Sequence, residues 1–241
     1  MDFNSYKNEM LSAFATNGLA ELLTDDSIEK FYKFHNTLVE VNKQFNLTAI
    51  TEEKEVIVKH FIDCASIASY IPAGATVIDV GCGAGFPTIP LAILRPDISI
   101  IALDSTQKRI NFVERTSKSL DLQNVTAICG RAEDFVTTHR ESFDICVSRA
   151  VARLNILSEI CLPLVKVGGA FLAMKSLKGD EEYVEAKSGI TKLGGELKQI
   201  QSDEFRYSEI SMQRKLLVIQ KKHPSPAEYP RKYSQILKKP L

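Results

Sequence analysis

The stretch Thr76–Pro90, TVIDVGCGAGFPTIP, constrains this chain more than any other. Thr76–Val80 is β-branched and apolar, the composition of a strand buried on both faces. Gly81, Gly83 and Gly85 follow at alternate positions. Glycine reaches positive φ and lets a ligand lie against the backbone. Pro87 suits the first turn of a helix, where no amide donor is needed, and Pro90 falls in the same turn. Strand, glycine loop, helix is the opening unit of a nucleotide-binding α/β domain. A turn that binds nothing accounts poorly for three spaced glycines after a buried strand.

The spacing argues against a dinucleotide. It reads G-x-G-x-G, and Phe86 stands where the dinucleotide fingerprint needs a small residue. Asp79 would set a carboxylate close to a pyrophosphate. It suits a cationic ligand better, such as the amine and sulfonium of S-adenosylmethionine. D-x-G-x-G-x-G resembles the first motif of Rossmann-like methyltransferases. Asp104 lies 19 residues after Gly85, about where an acid meets ribose hydroxyls; capping a helix that starts at Thr106 is a compatible role. Glu133, in Gly130-Arg131-Ala132-Glu133, stands where an adenine amine would bind, a solvated loop being the alternative.

With 241 residues, 44% of them hydrophobic, the chain can bury a full core. We expect an α/β fold with a mostly parallel seven-stranded sheet, helices on both faces, and an N-terminal helical cap. Residues 1–72 read as the cap, 73–222 as the Rossmann-like core and 223–241 as a basic, proline-rich tail. In the cap, Asp26-Ser27 can start a helix carrying Ile28, Phe31, His35 and Leu38 on one face, with His35 a packing residue. A second helix is expected from Glu52 to about Tyr70. Strands are expected at Thr76–Val80, Ile98–Leu103, Asn124–Cys129, Phe143–Val147, Gly168–Lys175, and near Glu196–Ile200 and Lys215–Gln220. Helices are expected at Lys108–Leu120, Leu154–Leu164 and Asp180–Leu193.

The five cysteines never form C-x-x-C. Cys129 and Cys146 fall in strands, so buried free thiols are expected, in a reducing compartment and without a metal site. No basic-then-apolar leader and no 18-residue apolar run occurs, which points to a cytosolic protein with no membrane partner.

Lysine and arginine total 30, as do aspartate and glutamate. The charge is uneven, however: Arg214–Leu241 carries eight bases and one acid. A basic end on an acidic body suggests a polyanion contact, a solvated tail being the alternative. Tyr229-Pro230-Arg231-Lys232-Tyr233 mixes rings and cations, which suits base stacking and phosphate. Arg153, Arg231 and Lys232 are the candidate RNA contacts.

After strand four stands Ser148-Arg149. No Asn/Asp-Pro-Pro-Tyr occurs there, which disfavours an exocyclic adenine amine as acceptor. No Pro-Cys occurs there either, which disfavours cytosine C5. A nucleophile needing no deprotonation, such as guanine N7, fits a site without an evident base. Arginine is shaped to meet guanine or phosphate, so Arg149 is an orienting candidate, with a salt-bridge role as its alternative.

Asn46-Leu47-Thr48, His60-Phe61-Ile62-Asp63, the DVGCGAGFPTIPLAI run, Asp104-Ser105 with Lys108-Arg109, Arg131-Ala132-Glu133, SRAVAR at Ser148–Arg153 and Tyr229-Pro230-Arg231 together resemble one family. It is the bacterial 16S ribosomal RNA guanine-N7 methyltransferases, the glucose-inhibited division protein B family, from about Asn42 to Leu241. The resemblance implies a class I fold, S-adenosylmethionine as donor, and guanine 527 in the 530 loop of 16S rRNA in the small ribosomal subunit as acceptor. It implies cofactor contacts at Gly81, Phe86, Asp104, Ala132, Glu133 and Arg149, to which the glycine loop adds Gly83. It names no general base, so the catalytic residue is unknown. Cys82 stands where relatives often carry Ser or Ala, and Tyr233 where a glycine is usual. A monomer that binds no DNA is expected. The competing reading is a methyltransferase acting on a small molecule or protein.

Overall fold

The computed structural model describes residues 2–149 and 151–241. A seven-stranded sheet forms its centre, with β1 Thr76–Val80, β2 Ser99–Asp104, β3 Val125–Cys129, β4 Phe143–Arg149, β5 Val165–Lys175, β6 Gly195–Tyr207 and β7 Ile210–Lys221. Their order is β3-β2-β1-β4-β5-β7-β6. The first five run parallel, and β7 runs antiparallel to both neighbours. The chain steps outward from β1 through β2 to β3, then returns to the other side of β1 as β4. That reversal is the switch point where open α/β sheets bind ligands, at the carboxyl ends of the strands.

The helices are α1 Phe3–Thr16, α2 Asp25–Asn42, α3 Glu53–Val56, α4 Asp63–Ala65, α5 Thr88–Leu94, α6 Gln107–Ser119, α7 Ala132–His139, α8 Leu154–Cys161, α9 Gly179–Lys192 and α10 Tyr233–Lys238. Each sheet face carries its own apolar cluster. One gathers α1, α2, the α3–α4 rod, α5 and α6; the other gathers α7, α8, α9 and α10. Phe31, Phe34 and Phe61 of the N-terminal helices join Phe86 beside the glycine loop in a single aromatic stack. The N-terminal helices therefore share the core of the sheet. No helix among the described residues is long and apolar enough to cross a membrane.

Several boundaries differ from the sequence reading. α2 is capped by Thr24, whose hydroxyl accepts from the Ser27 amide while the Thr24 amide donates to the Ser27 hydroxyl, and Asp25 and Asp26 fill its first turn. Pro87 sits just before α5, not within it, while Pro90 is inside its first turn. The expected helix from Glu52 is interrupted by a π-helical stretch at Ile57–Ile62. The loop reading at Glu133 is replaced by α7. β6 and β7 run far beyond their apolar centres, because their polar outer halves form a hairpin that packs on α1. There Asn17 Nδ2 donates to the Arg206 carbonyl (2.9 Å) and Tyr207 Oη to Glu9 (2.7 Å). Cys129 is exposed, contrary to expectation, since it ends an edge strand; Cys146 is buried.

Candidate active site

A cleft of about 630 Å³ opens at the carboxyl ends of β1–β4. One wall is the glycine loop. It is tied down from below by Gly81 and Cys82, whose amides donate to the Leu103 carbonyl (2.8 and 3.1 Å). Gly81, Gly83 and Gly85 all have positive φ, as the spacing implied. Their surroundings differ. A Cβ on Gly81 would lie 2.4 Å from Val151, and one on Gly85 would lie 2.7 Å from Ile89. A Cβ on Gly83 meets nothing nearer than a backbone oxygen at 4.0 Å. Gly81 and Gly85 are thus fixed by packing, and Gly83 presents open backbone to the cleft.

Asp104 reaches across to this loop. Its Oδ2 accepts from the Gly83 amide (3.1 Å), its Oδ1 from the Thr106 amide (2.8 Å), and Arg109 lies 3.4 Å away. This carboxylate closes the turn before α6, whose N-cap is Thr106, and it lines the cleft. Ala132 and Glu133 form the next corner, at the start of α7, with Arg131 3.6 Å from the Glu133 carboxylate. An open glycine cradle flanked by two carboxylates and apolar patches fits an adenosyl group with a positive sulfur. The carboxylates supply acceptors for hydroxyls and an amine.

Asp79 is a correction. It is fully buried and is not part of the cleft wall. Its Oδ2 accepts from the Thr88 hydroxyl (2.6 Å) and amide (3.3 Å), which holds α5 under the loop, and its Oδ1 has no hydrogen-bond partner among the described residues. Burial pushes its carboxyl up to about 7, against the pull of the Thr88 hydrogen bonds.

The opposite wall joins the N-terminal segment to the end of β4; Arg149 and Phe86 were expected at the site, whereas Thr48 and His60 carried no assigned role. Thr48, His60 and Arg149 line it beside Phe86. Arg149 Nη2 donates to His60 Nδ1 (2.6 Å) and to the Lys59 carbonyl (3.2 Å), within the π-helical stretch. Nη1 meets Cys64 Sγ and Asp63 Oδ2, each at 3.3 Å. Arg214 lies 3.3 Å from the other Asp63 oxygen. Both terminal nitrogens of Arg149 are thus committed to the cap. His60 Nδ1 also lies 3.1 Å from the Lys59 carbonyl, but a guanidinium only donates and Arg149 is nearer, so Nδ1 accepts from Arg149 and the ring proton is assigned to Nε2, donated to Thr48 Oγ1 (3.1 Å). The Ile50 amide donates to the same oxygen (3.1 Å). With two donors on its oxygen, the Thr48 hydroxyl is left to donate. His60 stacks on Phe86 with centroids 4.3 Å apart. Burial, helped by the Arg149 charge, holds its imidazole down at about 3. π-helical turns recur at functional sites; a one-residue slip inside an apolar helix leaves no signal in hydrophobic spacing.

The tail differs most from expectation. Arg231 Nε and Nη2 grip both oxygens of Glu159 (2.8 and 2.6 Å), and Glu159 is fully buried. Nε and Nη2 of Arg231 are thus committed to the body of the protein. Lys221 is buried, donating to the Leu162 carbonyl and the Ser225 hydroxyl. Arg214, Lys215, Lys221 and Lys222 each face an acid from the body. Much of the basic excess is therefore spent inside the fold. Lys232 is exposed, and Arg153 forms a surface pair with Glu185.

Asp79 and His60 make opposite demands on pH. Folded Asp79 keeps its proton to about pH 7, against an ordinary value of 3.8. Stability from Asp79 is thus present below about pH 4 and falls as pH rises to about 7. His60 is lowered from 6.5 to about 3, so its contribution is present above about 6.5 and is lost as pH falls. Between about pH 4 and 6.5 the two slopes oppose. Asp79→Asn removes one of them. Its stability relative to the parent should rise by about 1.4 kcal/mol per pH unit over that window. Urea unfolding at pH 5 and pH 6.5 checks it; an unchanged difference would mean that Asp79 is ionised in the folded protein.

The sheet order and the ligand cleft at its switch point define a Rossmann-like, class I methyltransferase fold. Solved structures agree at the level of the fold. TYW2 of M. jannaschii in complex with AdoMet superposes with a TM-score of 0.55 at 17% identity, covering 67% of this chain and 76% of that one. Precorrin-6y C5,15-methyltransferase of Geobacter metallireducens gives 0.52 at 16% identity, covering 73% and 92%. The family described as rRNA small subunit methyltransferase G, GidB, matches residues 27–210, and this chain belongs to it. The Desulforamulus reducens protein named Ribosomal RNA small subunit methyltransferase G is 47% identical over 224 residues, 91% of this chain and 92% of its own length. The Lactiplantibacillus plantarum protein of the same name is 43% identical over 240 residues, 97% of both chains.

Proposed function

We propose that this protein transfers a methyl group from S-adenosylmethionine to N7 of guanine 527 in the 530 loop of 16S rRNA. The small-subunit rRNA substrate follows from family membership and from the names of the relatives. One observation carries the choice of atom. The histidine that lines the cleft is held neutral, both its ring nitrogens are engaged, and it is too weak a base to take a proton. Guanine N7 attacks with a lone pair and needs no proton removed.

The cofactor would lie along Gly81, Gly83, Phe86 and Asp104, with its adenine at Ala132 and Glu133. It supplies an electrophilic methyl on sulfur. The protein contributes approach geometry, which can be worth about 7–11 kcal/mol. On the facing wall, the Thr48 hydroxyl donates toward a guanine acceptor atom such as O6, and Arg149 fixes His60 and Phe86 behind it. Arg153 and Lys232 are the remaining candidates for phosphate.

The deciding experiment is mass spectrometry of digested 16S rRNA from cells with and without the protein. Loss of one 7-methylguanosine in the 530 loop is expected. Its persistence, with loss of another methylated nucleoside, would overturn the N7 assignment. For the cofactor side, Asp104→Ala should weaken S-adenosylmethionine binding by about 1–3 kcal/mol, the range for a lost charge-assisted hydrogen bond. Because the Gly83 amide is orphaned too, Asp104→Ala should also lower the unfolding midpoint. Unchanged calorimetric affinity with reduced stability would leave Asp104 a purely structural role.

A further inference from the structure

The segment after β7 is fastened to the body at several points. Arg140 donates to the carbonyls of Ser225, Ala227 and Tyr229. Arg231 then grips buried Glu159 of α8, and its amide donates to the same carboxylate (2.9 Å). Two residues later, Tyr233 opens α10 and stands in the wall of the cleft. Ile160, next to Glu159, lines the same corner. Arg131 lies over the Tyr233 ring, 5.7 Å from its centroid, and leads directly into Ala132 and Glu133. Three segments far apart in sequence meet here.

The corner's chemistry is specific. Ala132 and Ile160 are buried and apolar, Glu133 offers an acceptor, and Tyr233 adds an aromatic face. A purine with an exocyclic amine needs these features, and base–aromatic stacking serves any base with a π-face. We propose that Tyr233 is the aromatic wall of the adenine subsite, carried there by the Glu159–Arg231 pair. The tail then acts as a clasp on the cofactor. This rests on the cofactor assigned under Proposed function, and it adds a binding residue from the C-terminal segment.

The test is calorimetry on the full chain with S-adenosylmethionine and with 5′-methylthioadenosine, which keeps the adenine and drops the amino acid. Tyr233→Ala should weaken both ligands by about tenfold, within the range of base–aromatic stacking. Tyr233→Phe should stay within about twofold of the parent, since the ring remains. The chain has seven tyrosines and no tryptophan, so tyrosine emission gives a second reading. Adenine binding should quench part of it, and that part should vanish in Tyr233→Phe although affinity is kept. If Tyr233→Ala binds both ligands as the parent does, the clasp is wrong and the cofactor assignment stands. If Tyr233→Phe loses as much as Tyr233→Ala, the ring is not the contact. If the parent binds neither ligand, the cofactor assignment falls and the clasp with it.

Discussion

Arg149→Met should cut methyl transfer by about 100-fold and destabilise the fold by about 3–5 kcal/mol. The stability loss follows from Asp63. Its carboxylate is buried, and burial already pushes its pKa upward against the Arg149 and Arg214 charges. Removing one partner leaves a buried charge poorly compensated, which costs more than the pair contributes. The activity loss follows from geometry. Arg149 is the one side chain among the described residues that touches Asp63, the Lys59 carbonyl and His60 together. Without it, the His60–Phe86 stack and Thr48 are free to shift, and misplacement near 1 Å can cost about 100-fold. Arg149→Lys should recover part of the stability and little activity, because an ammonium cannot span these partners as a fork does. Pairing Arg149→Met with Asp63→Asn should return most of the stability and none of the rate. Urea unfolding and single-turnover transfer separate the two effects. A fully active Arg149→Met would remove this network from the site.

The second large effect lies in the tail. Arg231→Leu should destabilise by about 3–5 kcal/mol, since Glu159 has no water to turn to. Arg231→Leu combined with Glu159→Leu should recover most of that loss, because two apolar side chains can replace a buried pair. If Arg231 held phosphate instead, Arg231→Leu would leave the unfolding midpoint unchanged and flatten the salt dependence of RNA binding. That test of phosphate binding belongs to Lys232, Lys238 and Lys239, which are exposed. Every phosphate released by charge reversal there should lower the slope of log K against log salt by roughly 0.7–0.9.

What could be read from the sequence was local. The strand–glycine–helix unit, Asp104 at a strand end and the acid after β3 all announce themselves within a few residues, through β-branched runs and glycine spacing. All seven strands were legible for the same reason, although β6 and β7 only at their apolar centres. What escaped depends on partners distant in the chain. Nothing near Arg231 reveals Glu159, so the sequence offers it as a free cation, and nothing near Arg149 identifies Asp63, so the salt-bridge alternative for Arg149 has no named partner. Asp79 shows the converse. Its position before the glycines suggested a ligand contact, yet packing hides it under the loop. The π-helical turn around His60 was invisible because its apolar face continues unbroken.

The placement of β7 between β5 and β6 also orders events in time. β6 pairs with β7 alone, so when β6 leaves the ribosome it has no edge to join. The five parallel strands can assemble first, by βα steps between near neighbours. β6 must wait for β7, close with it as a hairpin, and enter the sheet as a pair. Loop closure between adjacent strands is cheap, and docking a preformed hairpin is one step. Pulse-labelled hydrogen exchange during refolding should therefore show β6 and β7 amides gaining protection together, after β1 and β4. The corner around Tyr233 is then the last part of the molecule to be finished, because its tail follows that hairpin.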